Sequence, residues 1–167
     1  MPLPPSPIGF DSSVLINFCA VRRLDILVAA CPPPRYVLAD VLEELEPDCG
    51  QQVDELLARD ELAASTLEGR DELERWATYT LRLDAGEAAT LAAAATRGWS
   101  IAVDERAARR IAAQDLGTNR ITGTVGLLRA AVAQSQLTIE EGDRLLARMI
   151  DDGYWSPVQS LRERLQE

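Results

Sequence analysis

Acidic side chains occupy four places in this sequence where they could carry chemistry, each near the end of an apolar run or at the start of a predicted helix. The positions are Asp11, Glu43 or Glu44, Glu87 and Asp104. Clustered carboxylates repel one another and raise one another's pKa values unless a cation neutralises them. If folding brings these four acids together, the sequence therefore predicts a site for a metal ion.

The composition narrows this chemistry, because the chain contains neither histidine nor lysine. All 17 basic residues are arginine, against 27 acidic residues, for a formal net charge of −10. The absence of histidine excludes a Ser-His-Asp triad and the common zinc sites, and the absence of lysine excludes a Walker A loop and a Schiff base. Mg²⁺ or Mn²⁺ fits the remaining oxygen donors best, since both ions prefer carboxylate and water ligands.

Each acid also has a structural explanation when it is taken alone. Asp11 and Asp104 suit the N-cap position of a helix, and Glu87 suits the positive end of a helix dipole. Glu43 and Glu44 could simply face solvent. The coincidence of all four favours the metal site, in which two ions about 3.5 to 4 Å apart could activate a water and stabilise the leaving oxygen of a phosphodiester.

The length and composition are those of one folded domain. We expect residues 1–167 to form a single domain, because a domain usually contains about 100 to 200 residues. With 47% hydrophobic and 26% charged residues, the chain has enough apolar side chains to build a core. Residues 1–7 are proline-rich and are expected to form an N-terminal tail. The net negative charge argues against non-specific binding to duplexes.

The sequence indicates a cytoplasmic protein without membrane contact. Residues 1–7 lack the basic and apolar regions of a secretory leader, and no run reaches the roughly 18 apolar residues of a membrane span. The three cysteines, Cys19, Cys31 and Cys49, have no CxxC spacing. Their odd number favours free, mostly buried thiols over a disulfide framework or a zinc site.

Short apolar runs alternate with helical patterns along the chain, which predicts an α/β fold. Predicted strands cover residues 8–10, 35–39, 62–67, 99–103 and 120–122. Predicted helices cover residues 14–20, 22–30, 40–46, 51–59, 71–82, 86–98, 104–113 and 123–134, followed by two more, of which the last covers 156–167. We expect an open parallel sheet of four to five strands with helices on both faces. Ligands bind beyond the carboxyl ends of such strands, where the four acids would converge.

The segments that carry these acids resemble a known family. In chain order they read GFDSSVLINF, VLADVLEEL, LDAGEAATLAAAATRGWSIAVDERAARRIA and ITGTVGLLRAAVAQSQLT. Their order, approximate spacing and the GEA and DE elements together resemble a PIN domain of the kind found in VapC-like toxins and their bacterial relatives. The resemblance extends from Ile8 to about Pro157.

This resemblance implies a PIN-like fold and a metal-dependent ribonuclease, with acids at the carboxyl edge of the sheet. It implies that the catalytic residues and metal ligands are Asp11, Glu44, Glu87 and Asp104. Glu44 is favoured over Glu43 because the family's acid directly precedes an apolar residue, here Leu45. Ser13 matches the small polar residue that helps to orient metal or phosphate.

The sequence departs from the family pattern at two of these positions. Glu87 replaces the commoner Asp, and Glu105 follows Asp104. Neither change removes a type of ligand, but the longer side chain of Glu87 could alter the metal spacing. Besides the four acids, three residues are secondary candidates for the site: Ser13, Glu43 and Glu105.

Substrate contacts are predicted from three arginines and a threonine. Arg106, Arg109 and Arg110 lie at helical spacing and could contact an RNA backbone, because arginine binds phosphate readily. They could equally form a solvated face paired with Glu105 and other acids. Thr124 at a helix start could contact phosphate or cap that helix.

Two aromatic residues near the end of the chain favour a structural role. Aromatic residues make up only 5% of the sequence, and no basic aromatic groove is evident. Tyr154 and Trp155 are therefore expected to anchor the last helix rather than to stack on bases.

Together these features predict a metal-dependent endoribonuclease that hydrolyses RNA phosphodiester bonds. The resemblance implies the toxin of a type II toxin–antitoxin pair, a cognate antitoxin that inserts a basic group into the acidic pocket, and a homodimer. The alternative is a catalytically inactive PIN-like binding or regulatory module with an acidic pocket. A haloacid-dehalogenase-like phosphatase is a weaker alternative, because Asp11 has no second Asp two residues on and the chain has no lysine.

Overall fold

A five-stranded parallel sheet forms the centre of the molecule in a computed structural model that describes residues 3–163. The strands are β1 (Ile8–Phe10), β2 (Arg35–Leu38), β3 (Ala63–Ser65), β4 (Ser100–Ala102) and β5 (Ile121–Thr122). They lie in the order β3-β2-β1-β4-β5, and all neighbouring pairs are parallel. The predicted open parallel sheet is therefore confirmed.

The helices form two groups that pack on the sheet. They are α1 (Ser12–Ala20), α2 (Asp25–Ala30), α3 (Ala39–Glu44), α4 (Pro47–Ala58), α5 (Gly69–Tyr79), α6 (Ala85–Arg97), α7 (Arg106–Asp115), α8 (Thr124–Ala133) and α9 (Ile139–Asp151), with a 3-10 turn at Thr118–Arg120. Helix α1 packs against α4, α8 and α9, and α2 packs against α8, whereas α3, α5 and α7 pack around α6. This arrangement confirms the predicted α/β fold with helices on both faces.

Strand β1 lies where the strand order changes direction. The chain adds β2 and β3 on one side of β1, and β4 and β5 on the other. The backbone N–H of Asp11 donates to the carbonyl of Ala102 (3.0 Å), so pairing with β4 continues to the end of β1. Such a switch point leaves a crevice beyond the carboxyl ends of the strands. Asp11 and Asp104, which follow β1 and β4, are therefore beside the same crevice.

Helix α6 approaches the sheet closely because its residues are small. Residues 86–94 are all buried, and most of them are alanine. A Cβ atom at Gly9 in β1 would stand 3.2 Å from the methyl carbon of Thr90 and 3.6 Å from the ring of Trp99. A side chain at position 9 would therefore force Thr90 to shift by a few tenths of an ångström. The packing holds the first turn of α6, which carries Glu87, against the centre of the sheet.

Several predicted helix boundaries differ from the structure. Helix α2 begins at Asp25 rather than at residue 22, because Arg22 adopts a left-handed conformation (φ 54°) that interrupts the helix. Helix α4 begins at Pro47 rather than at residue 51. Proline is tolerated in the first turn of a helix, because the N–H groups of that turn make no hydrogen bonds within the helix. The N-cap of α7 is Glu105, so the predicted capping by Asp104 is wrong.

The predicted helix over residues 156–167 is also wrong in the part that the structure describes. Residues 156–163 form bends and turns, and residues 164–167 lie outside the described range. Asp143 holds this segment by accepting hydrogen bonds from the backbone N–H of Leu161 (2.7 Å) and the hydroxyl of Ser160 (3.1 Å). Side-chain contacts of this kind replace the backbone ladder that the cap-and-proline pattern had indicated.

The proline-rich start of the chain is attached to the sheet rather than projecting from it. The hydroxyl of Ser100 donates to the carbonyl of Pro5 (2.6 Å), and the hydroxyl of Ser6 donates to the carbonyl of Pro32 (2.5 Å). Residues 1 and 2 of the predicted tail lie outside the described range. Within residues 3–163, none of the helices combines the length and apolar character that a membrane span needs.

The prediction of free thiols is wrong for two of the three cysteines. Cys19 in α1 and Cys49 in α4 form a disulfide, with Cα atoms 5.3 Å apart. Cys31 is free and buried, and burial raises the pKa of its thiol to about 12. The pairing depends on the packing of α1 against α4, which cysteine spacing alone does not reveal.

Candidate active site

Asp11 lies between the end of β1 and the start of α1, and only one of its two carboxylate oxygens accepts hydrogen bonds from residues 3–163. The residue is 1% exposed, and Oδ2 accepts hydrogen bonds from the backbone N–H (3.0 Å) and the hydroxyl (2.5 Å) of Ser13. The other oxygen, Oδ1, is buried and has no hydrogen-bond partner among residues 3–163. Burial raises the pKa of Asp11 to about 6, and the charge of Glu44 adds to this rise while the hydrogen bonds oppose it. Asp11 does cap α1, but capping leaves Oδ1 unexplained.

Glu44 reaches this position from the last turn of α3. Its Oε2 accepts a hydrogen bond from the hydroxyl of Ser12 (2.8 Å), and its Oε1 accepts one from the backbone N–H of Gly86 (2.7 Å). Both donors directly neighbour predicted ligands in the sequence. Glu43 is exposed and makes no side-chain hydrogen bond within residues 3–163. The structure thus brings Glu44, and not Glu43, to the other acids.

Gly86→Ala is expected to displace Glu44 without unfolding the protein. A Cβ atom at position 86 would stand 2.6 Å from Oε2 of Glu44, but this carboxylate ends a flexible side chain that can move away. Alanine favours a helix over glycine by about 1 kcal/mol, and the lost hydrogen bond from the N–H of residue 86 to Glu44 offsets this gain, so the variant should be about as stable as the wild type. We expect it to lose the ribonuclease activity that the family resemblance implies, as measured by RNA cleavage beside thermal unfolding.

The matched control for this prediction is Gly50→Ala in α4. A Cβ atom at Gly50 would meet nothing within 4 Å, so the same substitution in a helix leaves every neighbour in place. Equal activity in the two variants would contradict a role for the observed position of Glu44.

Glu87 stands in the first turn of α6 and is 8% exposed. It forms a capping box with Asp84, whose backbone N–H donates to Oε2 of Glu87 (3.3 Å). Burial, and then the negative charge of Asp11, raise the pKa of Glu87 to about 7, while the hydrogen bond from the backbone N–H of Asp84 opposes this rise. Neighbouring carboxyl groups with raised pKa values are typical of functional sites.

The carboxylate of Asp104 is held from three different elements. Oδ1 accepts hydrogen bonds from the backbone N–H of Thr124 (2.9 Å) and the hydroxyl of Tyr154 (3.3 Å). Oδ2 accepts from the hydroxyl of Thr124 (2.6 Å) and the side-chain amide of Asn17 (3.0 Å). Asp104 is therefore rigidly oriented, and its oxygens already have partners.

Ser13 joins the acids that follow β1 and β4. Its hydroxyl donates to Oδ2 of Asp11 and accepts a hydrogen bond from the backbone N–H of Asp104 (3.1 Å). Ser13 thus orients the carboxylate of Asp11, and its contact with metal or phosphate stays a prediction. The four predicted acids thus belong to one connected region: Ser13 links Asp11 to Asp104, and Glu44 lies between the start of α1 and the start of α6.

Sequence reasoning missed Ser12, Asn17 and Tyr154, all of which hold these carboxylates. Asn17 lies four residues after Ser13, so the two share one face of α1, and helical periodicity could have identified it. Tyr154 left no comparable signal, because it lies 50 residues from Asp104 in the sequence.

Two of the predicted substrate contacts serve the fold instead. Thr124 is fully buried, and both its backbone N–H and its hydroxyl bind Asp104, so the predicted substrate contact is wrong for this residue. Nη1 of Arg109 donates to the carbonyls of Val103 (2.7 Å) and Thr122 (2.9 Å). Arg109 is therefore a positioning residue that joins the ends of β4 and β5.

Arg106 and Arg110 are exposed at the start of α7. Neither forms a salt bridge with Glu105 or with any other acid between residues 3 and 163. The alternative of a solvated face with paired charges is thus not what the described residues form. Both guanidinium groups are open to an anionic ligand.

The donor set fits a hard divalent cation in part. Across residues 3–163, no three Asp, Glu, Cys or His side chains already stand as a metal-binding group. One observation favours a cation. The buried oxygen Oδ1 of Asp11 lies near the charges of Glu44 and Glu87, and no residue in the range 3–163 donates a hydrogen bond to it. A cation there would satisfy this oxygen and reduce the repulsion between the acids. Asp104 fits less directly, because each of its oxygens accepts two hydrogen bonds.

Comparison with known proteins agrees with this arrangement at the level of the family. A family model described as a PIN domain (DUF3368) matches residues 8–167, which is nearly the whole chain. No curated protein and no solved structure matches the chain at a significant level.

Proposed function

Because the chain belongs to the PIN domain family, whose members are in general nucleases, we propose that it is a metal-dependent endoribonuclease. The observation that carries this proposal is the buried Oδ1 of Asp11, which lies among acids at the switch point of the sheet and has no hydrogen-bond partner in the described part of the chain. Leaving a carboxylate oxygen buried and unpaired costs folding free energy. A cation that binds there during function explains why the chain carries this cost.

In this proposal, some residues of the site bind the ion and others orient the side chains that bind it. Asp11, Glu44, Glu87 and Asp104 would hold Mg²⁺ or Mn²⁺, since oxygen donors suit both. When bound, such an ion supplies Lewis-acid stabilisation of the phosphodiester and lowers the pKa of a water. Ser12 and Ser13 hold the carboxylates of Glu44 and Asp11 in place.

The raised pKa values of two acids mean that protons and the ion compete for the same carboxylates. In the metal-free protein, Asp11 and Glu87 retain protons to about pH 6 and pH 7 respectively. Binding of a cation must displace these protons, so metal affinity should increase with pH across this range.

A cleavage assay with defined metals tests the proposal. We expect the purified protein to cleave RNA in Mn²⁺ or Mg²⁺ and to stop when EDTA is added, with activity restored by excess Mn²⁺. Glu44→Gln should reduce the rate strongly, because it removes one anionic donor while keeping the shape of the side chain. Cleavage that persists in EDTA, or an unaffected Glu44→Gln variant, would count against the proposal.

A binding module without catalysis is the second candidate, and the state of Asp104 favours it. Four hydrogen bonds already satisfy this carboxylate, as is typical of a structural acid. The cleavage assay separates the candidates, because an inactive module would leave RNA intact even where calorimetric titration shows that it binds Mn²⁺.

We further propose that this nuclease is the cytoplasmic toxin of a toxin–antitoxin pair and acts as a homodimer. The open acidic site suits an antitoxin that inserts a basic group. Co-expression with the product of the adjacent reading frame should relieve growth arrest and yield a complex, and light scattering should give twice the mass of the 18.3 kDa chain for the free protein. Absence of both growth arrest and a complex would leave only the nuclease.

A further inference from the structure

A cavity of about 520 Å³ is lined by Asp104, one of the four acids, and by Ser13, which binds Asp11. Asn17 of the candidate active site also lines it. Arg106, Tyr154 and Trp155 line the same cavity. Any group that enters this cavity is therefore in contact with the network that orients Asp11 and Asp104.

Trp155 is the unusual residue of this cavity, because its large aromatic side chain is not packed in the core. Its side chain is 73% exposed, whereas the adjacent Tyr154 is partly buried and packs against the core. The predicted anchoring role is thus wrong for Trp155, since residues 156–163 form no helix for it to anchor. A largely exposed indole costs solvation free energy unless a ligand covers it.

Arg106 adds a cation to this aromatic platform. Its guanidinium carbon lies 5.5 Å from the centroid of the Trp155 ring, within the range of a cation–π contact. Because Trp155 is 73% exposed, the guanidinium covers no more than one face of the ring, and the rest of the indole stays open. An indole beside an arginine is a combination that binds unpaired nucleobases by stacking.

We propose that Trp155 and Arg106 form a nucleobase subsite, in which one unpaired base next to the cleaved phosphodiester stacks on Trp155. This inference rests on the proposed nuclease function and adds to it the residue that contacts a base, since only an unpaired base can present its face to the indole.

The test measures binding of a short single-stranded RNA without turnover, in an Asp11→Asn background with Mn²⁺. We expect Trp155→Ala to weaken binding about tenfold, because stacking of one base contributes on that order. Trp155→Phe should retain most of the affinity, since it keeps an aromatic face. Leu81→Ala is the matched control, because Leu81 is 82% exposed but does not line the cavity.

An abasic RNA separates stacking from other contacts. Removing the base that stacks should weaken binding to the Trp155 protein and should have no further effect on Trp155→Ala. Equal binding by Trp155→Ala and its parent, or the same loss from the abasic RNA in both proteins, would overturn the proposal. A variant that loses binding of an antitoxin protein but not of RNA would also overturn it and assign the surface to a protein partner.

The outcome is distinguishable from failure of the proposed function. Cleavage by the wild type that is insensitive to Trp155 would refute the subsite and leave the nuclease. Binding that depends on Trp155 without any cleavage would support the subsite and refute the nuclease.

Discussion

Asp11→Asn is expected to abolish RNA cleavage and, at the same time, to stabilise the metal-free protein at neutral pH. The loss of activity should be on the order of 10²- to 10³-fold or more, as found when one group that stabilises the transition state electrostatically is removed. Asparagine keeps the shape of the side chain and can still accept the hydrogen bonds from Ser13. The charge, rather than the geometry, is what the substitution removes.

The gain in stability follows from the burial of this carboxylate. Asp11 is 1% exposed, and its pKa rises from 3.8 to about 6. Ionising it in the folded protein therefore costs about 3 kcal/mol more than ionising it in the unfolded chain. Part of this gain will be offset, because the new amide donor must find a partner beside Glu44 and Glu87. A net increase of about 1 to 2 kcal/mol in the free energy of unfolding is expected.

Urea unfolding at pH 8 in EDTA measures this effect, and Asp54→Asn is the matched control. Asp54 is an exposed residue of α4, so removing its charge should change neither stability nor cleavage. An Asp11→Asn protein that is both inactive and less stable than the wild type would identify Asp11 as a structural residue.

The sequence was sufficient to predict the framework that positions this site. Apolar runs at residues 8–10 and 99–103 mark buried strands, since a strand in a covered parallel sheet reads as a continuous apolar segment. Asp11 and Asp104 follow these strands directly or within two residues, and parallel strands end at one edge. Convergence of the acids could therefore be predicted from local pattern and topology alone.

The contacts that orient the acids could not be predicted in the same way. Thr124 and Tyr154 lie 20 and 50 residues from Asp104 in the sequence, and only tertiary packing brings them to it. For Asn17, helical spacing indicates a shared face with Ser13 but not the contact with Asp104, 87 residues away. The hydrogen bond that holds Glu44 likewise comes from Gly86, 42 residues away.

In the C-terminal region, by contrast, a local sequence pattern gave a wrong prediction. The Ser156–Pro157 pair is a typical helix start. In the structure, the hydroxyl of Ser156 accepts from the backbone N–H of Val158 and donates to its carbonyl, which forms a turn. This turn leaves Trp155 exposed beside the acidic site, where a helix would have given it a surface to pack on.

The metal-free protein is expected to lose stability as the pH rises from about 4 to about 7, in contrast to most proteins. Burial and mutual repulsion raise the pKa of Asp11 to about 6 and that of Glu87 to about 7, from 3.8 and 4.5. Between these values the folded state holds more protons than the unfolded state, so the free energy of unfolding falls with rising pH. The two acids should contribute several kcal/mol in total, and the curve should be flat above pH 7.

A divalent cation should reverse this dependence, because it replaces the protons that the two acids lose. Chemical unfolding at a series of pH values, in EDTA and in Mn²⁺, measures both curves. Asp11→Asn combined with Glu87→Gln should flatten the EDTA curve and remove the effect of Mn²⁺, since neither proton nor metal then has a buried carboxylate to bind. A wild-type curve in EDTA that rises steadily from pH 4 to pH 7 would mean that these carboxylates are stable as anions without a cation, and the metal site would lose its physical basis.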